Sequence, residues 1–361
     1  MRIGIGALVG VLGGPATYAH ELIAALARLG SHEYVVFTDR PDAFAAFGVS
    51  TVHVPLPSPW HQATWDQWRL PALIGRARLD LYHGTKNVLP WRLAVPAVVT
   101  VHDLAVYAYP ESFAWPQRWH LRVLVPRSVA AAAHVIADSV HARGDLLARF
   151  RLPAERVTAI PLGVAGRYRE SPPPDAIAAF RDRHALGPHL VACVGTVQPR
   201  KHVERVIAAF TAADAAAAGW ELVIAGRVRP GYAPSWLTSL PAGVRWLGPL
   251  SDADLGMLYA AAEIAASASD YEGFGLTVCE AMASGCAVIA PAHSSLPEVV
   301  GEAGVLVPAS ETGLIADALR RLIAEAETRA ALGAAARVRA RAFTWEETAR
   351  RTRAVYEAMR G

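Results

Sequence analysis

Short apolar runs alternate with longer stretches in which apolar positions recur every three to four residues, and the alternation restarts midway along the chain. In the first half, Arg2–Leu8, Tyr34–Phe37, Leu79–Tyr82, Ala97–Val101, His134–Ala137 and Val157–Ile160 read as strands. Helical periodicity falls between several of them, as at Pro15–Arg28 and Ser139–Arg149. The second half begins again with Leu190–Val194, Glu221–Ala225, Val244–Trp246, Glu263–Ala266, Ala287–Ala290 and Gly304–Val307. Beyond Pro308 the pattern is helical to the end, and Thr344-x-x-Glu347 is a capping signal that opens the last helix. Strands that alternate with helices predict α/β architecture with parallel sheets. Ser171-Pro172-Pro173-Pro174 reads as a stiff connector, because consecutive prolines suit neither a helix interior nor a central strand. The boundary is therefore expected there, dividing the chain into doubly wound domains over 1–170 and 171–344.

A length of 361 residues accommodates two such domains. Cys193, Cys279 and Cys286 lie in apolar runs without metal-ligand spacing, which reads as packed, reduced thiols of a cytosolic protein. Met1-Arg2-Ile3-Gly4-Ile5 reads as a strand and is too short for a signal peptide, and no run is long enough for a spanning helix. Peripheral contact with a membrane surface stays open. The net charge of +3 is spread through arginine-rich helices with no concentrated basic run, so nucleic acid is not the expected partner.

In open parallel sheets, ligands meet the loops that follow strands, and several such loops carry chemistry. Gly13-Gly14 precedes Pro15 at a helix start, where it serves either as a plain turn or as a backbone cradle for a ligand. Gly4, Gly6 and Gly10 do not make a dinucleotide fingerprint, since the third glycine comes one residue late and the first two lie in the strand. Gly195 ends the first strand of the second half, and Arg200 and Lys201 stand just before the next helix. Cations are disfavoured at a helix start, so a fork and a point charge aimed at a diphosphate explain the pair better. Between Asp270 and Glu280 the chain reads Asp-Tyr-Glu-Gly-Phe-Gly-Leu-Thr-Val-Cys-Glu, with Glu272 in a turn bracketed by Gly273 and Gly275 and Glu280 on the following helix. Backbone can approach a ligand closely at the two glycines, the helix start favours an anion, and both carboxylates can accept from sugar hydroxyls. Ser295-x-x-Glu298 reads as a capping box. His102 follows Thr100-Val101 and precedes Asp103, as either a packed histidine or a ligand contact; His83 is a weaker case of the same kind. The stretch from Phe113 to Arg127 mixes Trp and Arg in an expected amphipathic helix. It reads as a core helix with solvated arginines, or as a face for anionic lipid or acceptor. Trp60, Trp65 and Trp68 either line an acceptor groove or cover the first domain.

Taken together these segments resemble the retaining glycosyltransferases of family 4. The resemblance rests on Gly13-Gly14 with Tyr18, Val101-His102-Asp103, Val194-Gly195-Thr196 through Arg200-Lys201, and Tyr271 through Glu280. It continues through Ala281-Met282-Ala283-Ser284-Gly285 and Ser294 to Val299. Ala16 departs from it where a third glycine is common. The resemblance implies a GT-B architecture, two Rossmann-like domains facing across a cleft, with the last helix (345–361) packing back on the first. It implies a nucleotide-diphosphate sugar donor as substrate, with no resident cofactor and no metal. Glu280 would hold the ribose, Arg200 and Lys201 the diphosphate, and Glu272 with the Gly273, Phe274, Gly275 and Leu276 backbone the sugar. His102 would approach from the first domain, and Gly13 and Gly14 would meet phosphate or acceptor. The acceptor would be a glycan, a lipid-linked saccharide or a small molecule, and GDP-mannose is the favoured donor. An epimerase or phosphorylase on the same architecture, or a silent nucleotide-sugar-binding protein, are the alternatives.

Overall fold

The computed structural model describes residues 1–10, 13–55 and 67–360. Trp60 and Trp65 lie outside them. The chain divides into two compact units, one of Met1–Gly163 with Phe343 onward and the other of Val164–Ala342.

The first unit holds a parallel sheet of β1 (Arg2–Gly6), β2 (Glu33–Thr38), β3 (Ser50–His53), β4 (Leu81–Gly84), β5 (Ala97–Val101), β6 (His134–Ala137) and β7 (Val157–Ala159), in the order β3-β2-β1-β4-β5-β6-β7. Ile3, Ile5, Val98 and Val99 have no exposed surface, as expected of strands covered by helices on both faces. The order reverses between β1 and β4. The loops following those two strands therefore flank the switch point, where an open sheet leaves a crevice for ligands. β3 was not expected from the sequence: three of its four residues are polar and exposed, so it lacks the apolar signature of the inner strands.

The helix Trp345–Ala358 belongs to this unit and packs on the helix Gly14–Leu29. Its start is fixed by Thr344, whose side chain accepts a hydrogen bond from the Glu347 amide at 3.1 Å. Further along, the Tyr356 hydroxyl lies 2.6 Å from His83 Nδ1. His83 Nε2 in turn meets Thr100 Oγ1 at 2.8 Å, and that hydroxyl meets Tyr18 Oη at 2.8 Å. This buried chain ties the last helix, β4, β5 and the first helix together. Burial and the nearby His102 push the His83 pKa down to about 3, so the ring is neutral and serves the packing.

The second unit holds β8 (His189–Val194), β9 (Trp220–Ala225), β10 (Val244–Gly248), β11 (Ile264–Ala266), β12 (Ala287–Pro291) and β13 (Val305–Val307), all parallel, in the order β10-β9-β8-β11-β12-β13. The reversal here lies between β8 and β11, which pair at Ile264 with Val191 and Ala265 with Ala192.

Three sequence expectations need correction. The chain divides after Gly163, and the prolines lie inside the second unit. Pro174 opens the helix Pro174–His184 with Pro173 as its cap, a position at which a missing N–H is no loss. Ser295-x-x-Glu298 does not form a capping box: Ser295 has helical backbone angles, and its hydroxyl donates to the Glu272 carbonyl instead. The helix Trp115–Ala131 buries Val125, Ser128 and Val129, while Trp115 and Trp119 stand in solvent, so its apolar side chains do not gather on one face.

Candidate functional site

The switch point of the second sheet explains why residues far apart in sequence meet. The segment after β8 turns at Gly195, whose φ of 147° favours glycine, and runs to a short turn at Pro199–Lys201. The segment after β11 carries Asp270, Tyr271 and Glu272 to Gly275, whose φ of 93° is left-handed and whose place a Cβ would fill against Leu296. Gly275 caps the helix Leu276–Ser284.

Because β8 and β11 are neighbours, the two segments lie against each other. The Asp270 amide donates to the Arg200 carbonyl at 2.8 Å. Lys201 Nζ donates to Glu272 Oε1, and Arg200 Nη1 lies 3.5 Å from Glu272 Oε2 while also donating to the Tyr271 carbonyl. Glu272 is only 8% exposed. Burial alone would raise its pKa, but Lys201 and then Arg200 outweigh it and hold the carboxyl below its usual range, so the group is ionised. The result is a compact cluster of two cations and one anion at the carboxyl ends of adjacent strands.

Ser294 and Ser295 fix the Glu272 backbone. Ser294 Oγ accepts from the Glu272 amide at 2.9 Å and donates to its carbonyl at 2.7 Å, and Ser295 Oγ donates to the same carbonyl at 2.9 Å. Ser294 adopts a φ of 61°, uncommon for a residue with a side chain. On the other side, His202 has a φ of 44° and is held by two carboxylates, Glu204 at 2.8 Å from Nδ1 and Asp270 at 2.6 Å from Nε2. Arg205 Nη1 meets the second oxygen of Asp270 at 2.6 Å. The hydrogen bond His202 donates to Glu204 and the Asp270 charge, against partial burial, raise the His202 pKa. Asp270 thus anchors the turn that presents Arg200 and Lys201.

Glu280 is one turn into the helix that Gly275 caps and is 5% exposed. Its charge adds to burial in raising the Tyr259 hydroxyl and the Cys279 thiol. Phe274 is buried, and Leu276 begins the helix.

In the first unit, His102 follows β5. Its amide donates to Asn87 Oδ1 at 2.8 Å, Nδ1 lies 2.7 Å from Asp138 Oδ2, and Nε2 lies 2.8 Å from the Thr85 carbonyl. A carbonyl and a carboxylate only accept, so both ring nitrogens carry protons and the ring is a buried imidazolium. Burial would lower its pKa, but Asp138 overrides this and raises it. Both ring donors are therefore engaged inside the unit. Gly13 has a φ of 102° and caps the helix Gly14–Leu29; its carbonyl accepts from the amides of Ala16 and Thr17. No atom lies within 4 Å of where a Cβ on Gly14 would sit, so this helix start is open.

The structure thus joins Arg200, Lys201 and Glu272 in one cluster bordered by Gly195 and Gly275. Ser294, Ser295, Asp270 and Asp138 were not singled out as site residues from the sequence. Their roles depend on backbone atoms of neighbouring loops, which residue spacing does not reveal. Among the described residues, no group of three or more His, Cys, Asp and Glu side chains is placed to hold a metal ion.

Comparison with known proteins follows the same division. The model of Glycosyltransferase Family 4 matches residues 12–165, and that of Glycosyl transferases group 1 matches residues 177–339. The chain is 27% identical over 291 residues to O-antigen chain mannosyltransferase B of Escherichia coli, covering 77% of this chain and 74% of that protein. It is 33% identical over 285 residues to the D-inositol 3-phosphate glycosyltransferase of Actinosynnema mirum, covering 73% of this chain and 67% of the relative. With the corresponding Salinispora arenicola protein it shares 32% over 278 residues, 71% of this chain but 62% of that one, so it spans less than two thirds of that relative. Among solved structures, Anabaena HepE in complex with UDP and glucose superposes with a TM-score of 0.77 at 18% identity, covering 99% of this chain and 100% of that one. WaaG, a glycosyltransferase involved in lipopolysaccharide biosynthesis, gives 0.76 at 17%, covering 97% and 98%.

Proposed function

The chain belongs to the glycosyltransferases that combine a family 4 domain with a group 1 domain, and from that premise we propose that it is a retaining, metal-independent enzyme that takes a hexose from a nucleotide-diphosphate sugar. GDP-mannose is the favoured donor, supported by the likeness to an O-antigen mannosyltransferase. The acceptor is a hydroxyl of a glycan or lipid-linked saccharide.

The observation that carries this reading is the convergence of Arg200 and Lys201 on Glu272 at the switch point of the second sheet. Breaking a sugar–phosphate bond places negative charge on the departing diphosphate while the anomeric carbon becomes cationic. Arg200 and Lys201 are two preorganised cations of the kind that stabilises such a leaving group, and their charge can do the work that a metal does elsewhere. Glu272, kept ionised by the same cations, accepts from sugar hydroxyls, with Gly273 to Leu276 supplying backbone close to the sugar. Glu280 takes the ribose hydroxyls and Gly195 leaves room beside Lys201 for phosphate, while the open helix start at Gly13 and Gly14 offers its backbone to a phosphate or acceptor.

The acceptor hydroxyl attacks the anomeric carbon from the face the diphosphate leaves. Its proton passes to a departing phosphate oxygen, the new glycosidic bond forms as the old C–O bond breaks, and configuration is kept. A covalent route would need a carboxylate placed as nucleophile, and Glu272 is engaged with two cations instead. His102, its ring donors engaged with Asp138 and Thr85, contributes a fixed positive charge and its backbone.

The test is the anomeric configuration of the product. The protein is incubated with an α-linked nucleotide sugar, GDP-mannose first, and saccharide acceptors, and the new anomeric proton is read by NMR. An α-linked product supports the reading; a β-linked product overturns retention.

A further inference from the structure

We propose that the first unit carries a docking face for anionic phospholipid bilayers, formed by the helix Trp115–Ala131, the 86–92 loop beside it and Trp68. Four of the chain's ten tryptophans are exposed here: Trp68 at 75%, Trp115 at 69%, Trp119 at 62% and Trp91 at 47%. Side chains of this size are normally drawn inward, and several close together in solvent mark an interaction surface.

These positions share one surface. Trp115, Trp119 and Arg122 are spaced four and three residues apart, so they form a stripe on one side of the helix. The 86–92 loop runs beside that helix. Burial and then the Lys86 charge lower the pKa of His120, the Leu89 amide donates to Ser128 Oγ at 2.8 Å, and Arg127 lies over the Trp91 ring at 5.0 Å. Gln67 Nε2 donates to the Leu89 carbonyl at 3.3 Å, which brings Trp68 to the same loop. With its 17 residues the helix is about 25 Å long, enough to lie along a membrane surface.

The charge is one-sided. Between positions 67 and 131 the chain has eight Lys and Arg against three Asp and Glu, whereas outside it acidic residues outnumber basic ones. Two of the three acids have partners within the fold: Asp80 accepts from the Arg2 amide at 2.7 Å and Asp103 from the Ala105 amide at 3.0 Å. Glu111 is the third, and it precedes the helix that carries Arg118 and Arg122.

Indole rings among arginines, on a convex helix face, match a negatively charged lipid interface: the rings enter the headgroup layer while the cations meet phosphates. A sugar-binding surface would surround its aromatic rings with acids and amides as hydroxyl partners, yet the polar neighbours here are mainly cations. None of the described helices is long and apolar enough to cross a membrane, so the contact is one of lying on the surface. This face belongs to the first unit and the cluster around Glu272 to the second, and the inference does not depend on the donor reading.

The experiment is co-sedimentation of the full chain with vesicles of phosphatidylcholine alone and with about one third phosphatidylglycerol, at low and high salt and without donor. The expected result is partitioning at least about tenfold stronger on the anionic vesicles, weakened by salt as screening shortens from about 10 Å at 0.1 M to about 3 Å at 1 M. Trp115→Ala with Trp119→Ala should lose about tenfold or more. Arg118→Gln with Arg122→Gln should lose about fivefold per arginine. Lys201→Ala should bind vesicles like the wild type, which keeps this test distinct from that of the donor site. Unchanged melting temperatures of the surface variants show that they fold. Absence of binding, equal binding to neutral and anionic vesicles, or binding indifferent to both double variants overturns the proposal. So does protection of the indoles from acrylamide quenching by maltohexaose with none from vesicles, because that would assign the face to an acceptor.

Discussion

Arg200 Nη1 lies 3.5 Å from Glu272 Oε2, and the two residues reach each other because β8 and β11, the strands before them, are adjacent where the second sheet reverses its order. The carboxylate that would receive sugar hydroxyls is thereby oriented by the cations that would receive the diphosphate. A change at one is expected to be felt at the other.

Arg200→Ala or Lys201→Ala should lower kcat by about 10²–10³, the usual cost of removing one preorganised donor to a developing anion. Glu298→Ala should change it by less than about threefold, since Glu298 is not among the ion pairs that join Arg200 and Lys201 to Glu272. Steady-state kinetics on the three variants, with melting temperatures to confirm folding, makes the comparison. Equal losses in all three would remove the diphosphate assignment.

Ser294→Ala should reduce kcat/KM about tenfold while costing about 1–3 kcal/mol of stability. It leaves both the Glu272 amide and carbonyl short of a partner in a mostly buried site. Ser295→Ala removes one of two donors to the same carbonyl and should cost about 1 kcal/mol. Denaturant melts with kinetics on the same samples separate the two effects, and unchanged kinetics in Ser294→Ala would show that the Glu272 backbone needs no such support.

The His102–Asp138 pair predicts a pH dependence of stability. His102 has a folded pKa raised above the ordinary 6.5, chiefly because Asp138 outweighs burial. A raised pKa stabilises fully below the unfolded value and is lost as pH rises through the folded one. The melting temperature should therefore fall as pH climbs from about 6.5 through the folded pKa. Asp138→Asn should flatten this slope and lower stability throughout, whereas the similar but more exposed His202 contribution remains. A slope unaltered in Asp138→Asn would assign the dependence elsewhere.

A chelator should leave turnover unchanged, because the two cations at Glu272 are proposed to carry the charge of the leaving diphosphate. Assays with and without EDTA, after dialysis and with magnesium or manganese restored, decide the matter. Loss on chelation with recovery on metal would refute metal independence.

The strand–helix alternation was legible because buried parallel strands are nearly continuous apolar runs, as Ala97–Val101 and His134–Ala137 illustrate to the residue. β3 was not, since an edge strand of mostly polar residues carries no such run. Pro172–Pro174 misplaced the boundary because proline suits a helix start as well as a linker, and Pro174 takes the former role. At the site, Arg200, Lys201 and Glu272 stood out as charges beside glycine turns. Their supports did not: Ser295 reads as a cap in sequence, and only the fold shows its hydroxyl turned to the Glu272 carbonyl. His102 was visible as a histidine at a strand end. Its engagement with Asp138 and Thr85 depends on β4 and β6 flanking β5, which is a property of topology.

The most direct test of the central claim is thermal stabilisation by UDP, GDP, ADP and dTDP in the wild type and in Lys201→Ala. A donor site built on Arg200 and Lys201 predicts that one nucleotide, GDP by preference, raises the melting temperature of the wild type and does so markedly less in the variant. No stabilisation by any of the four, or equal stabilisation of both proteins, would contradict the assignment of the diphosphate to this cluster.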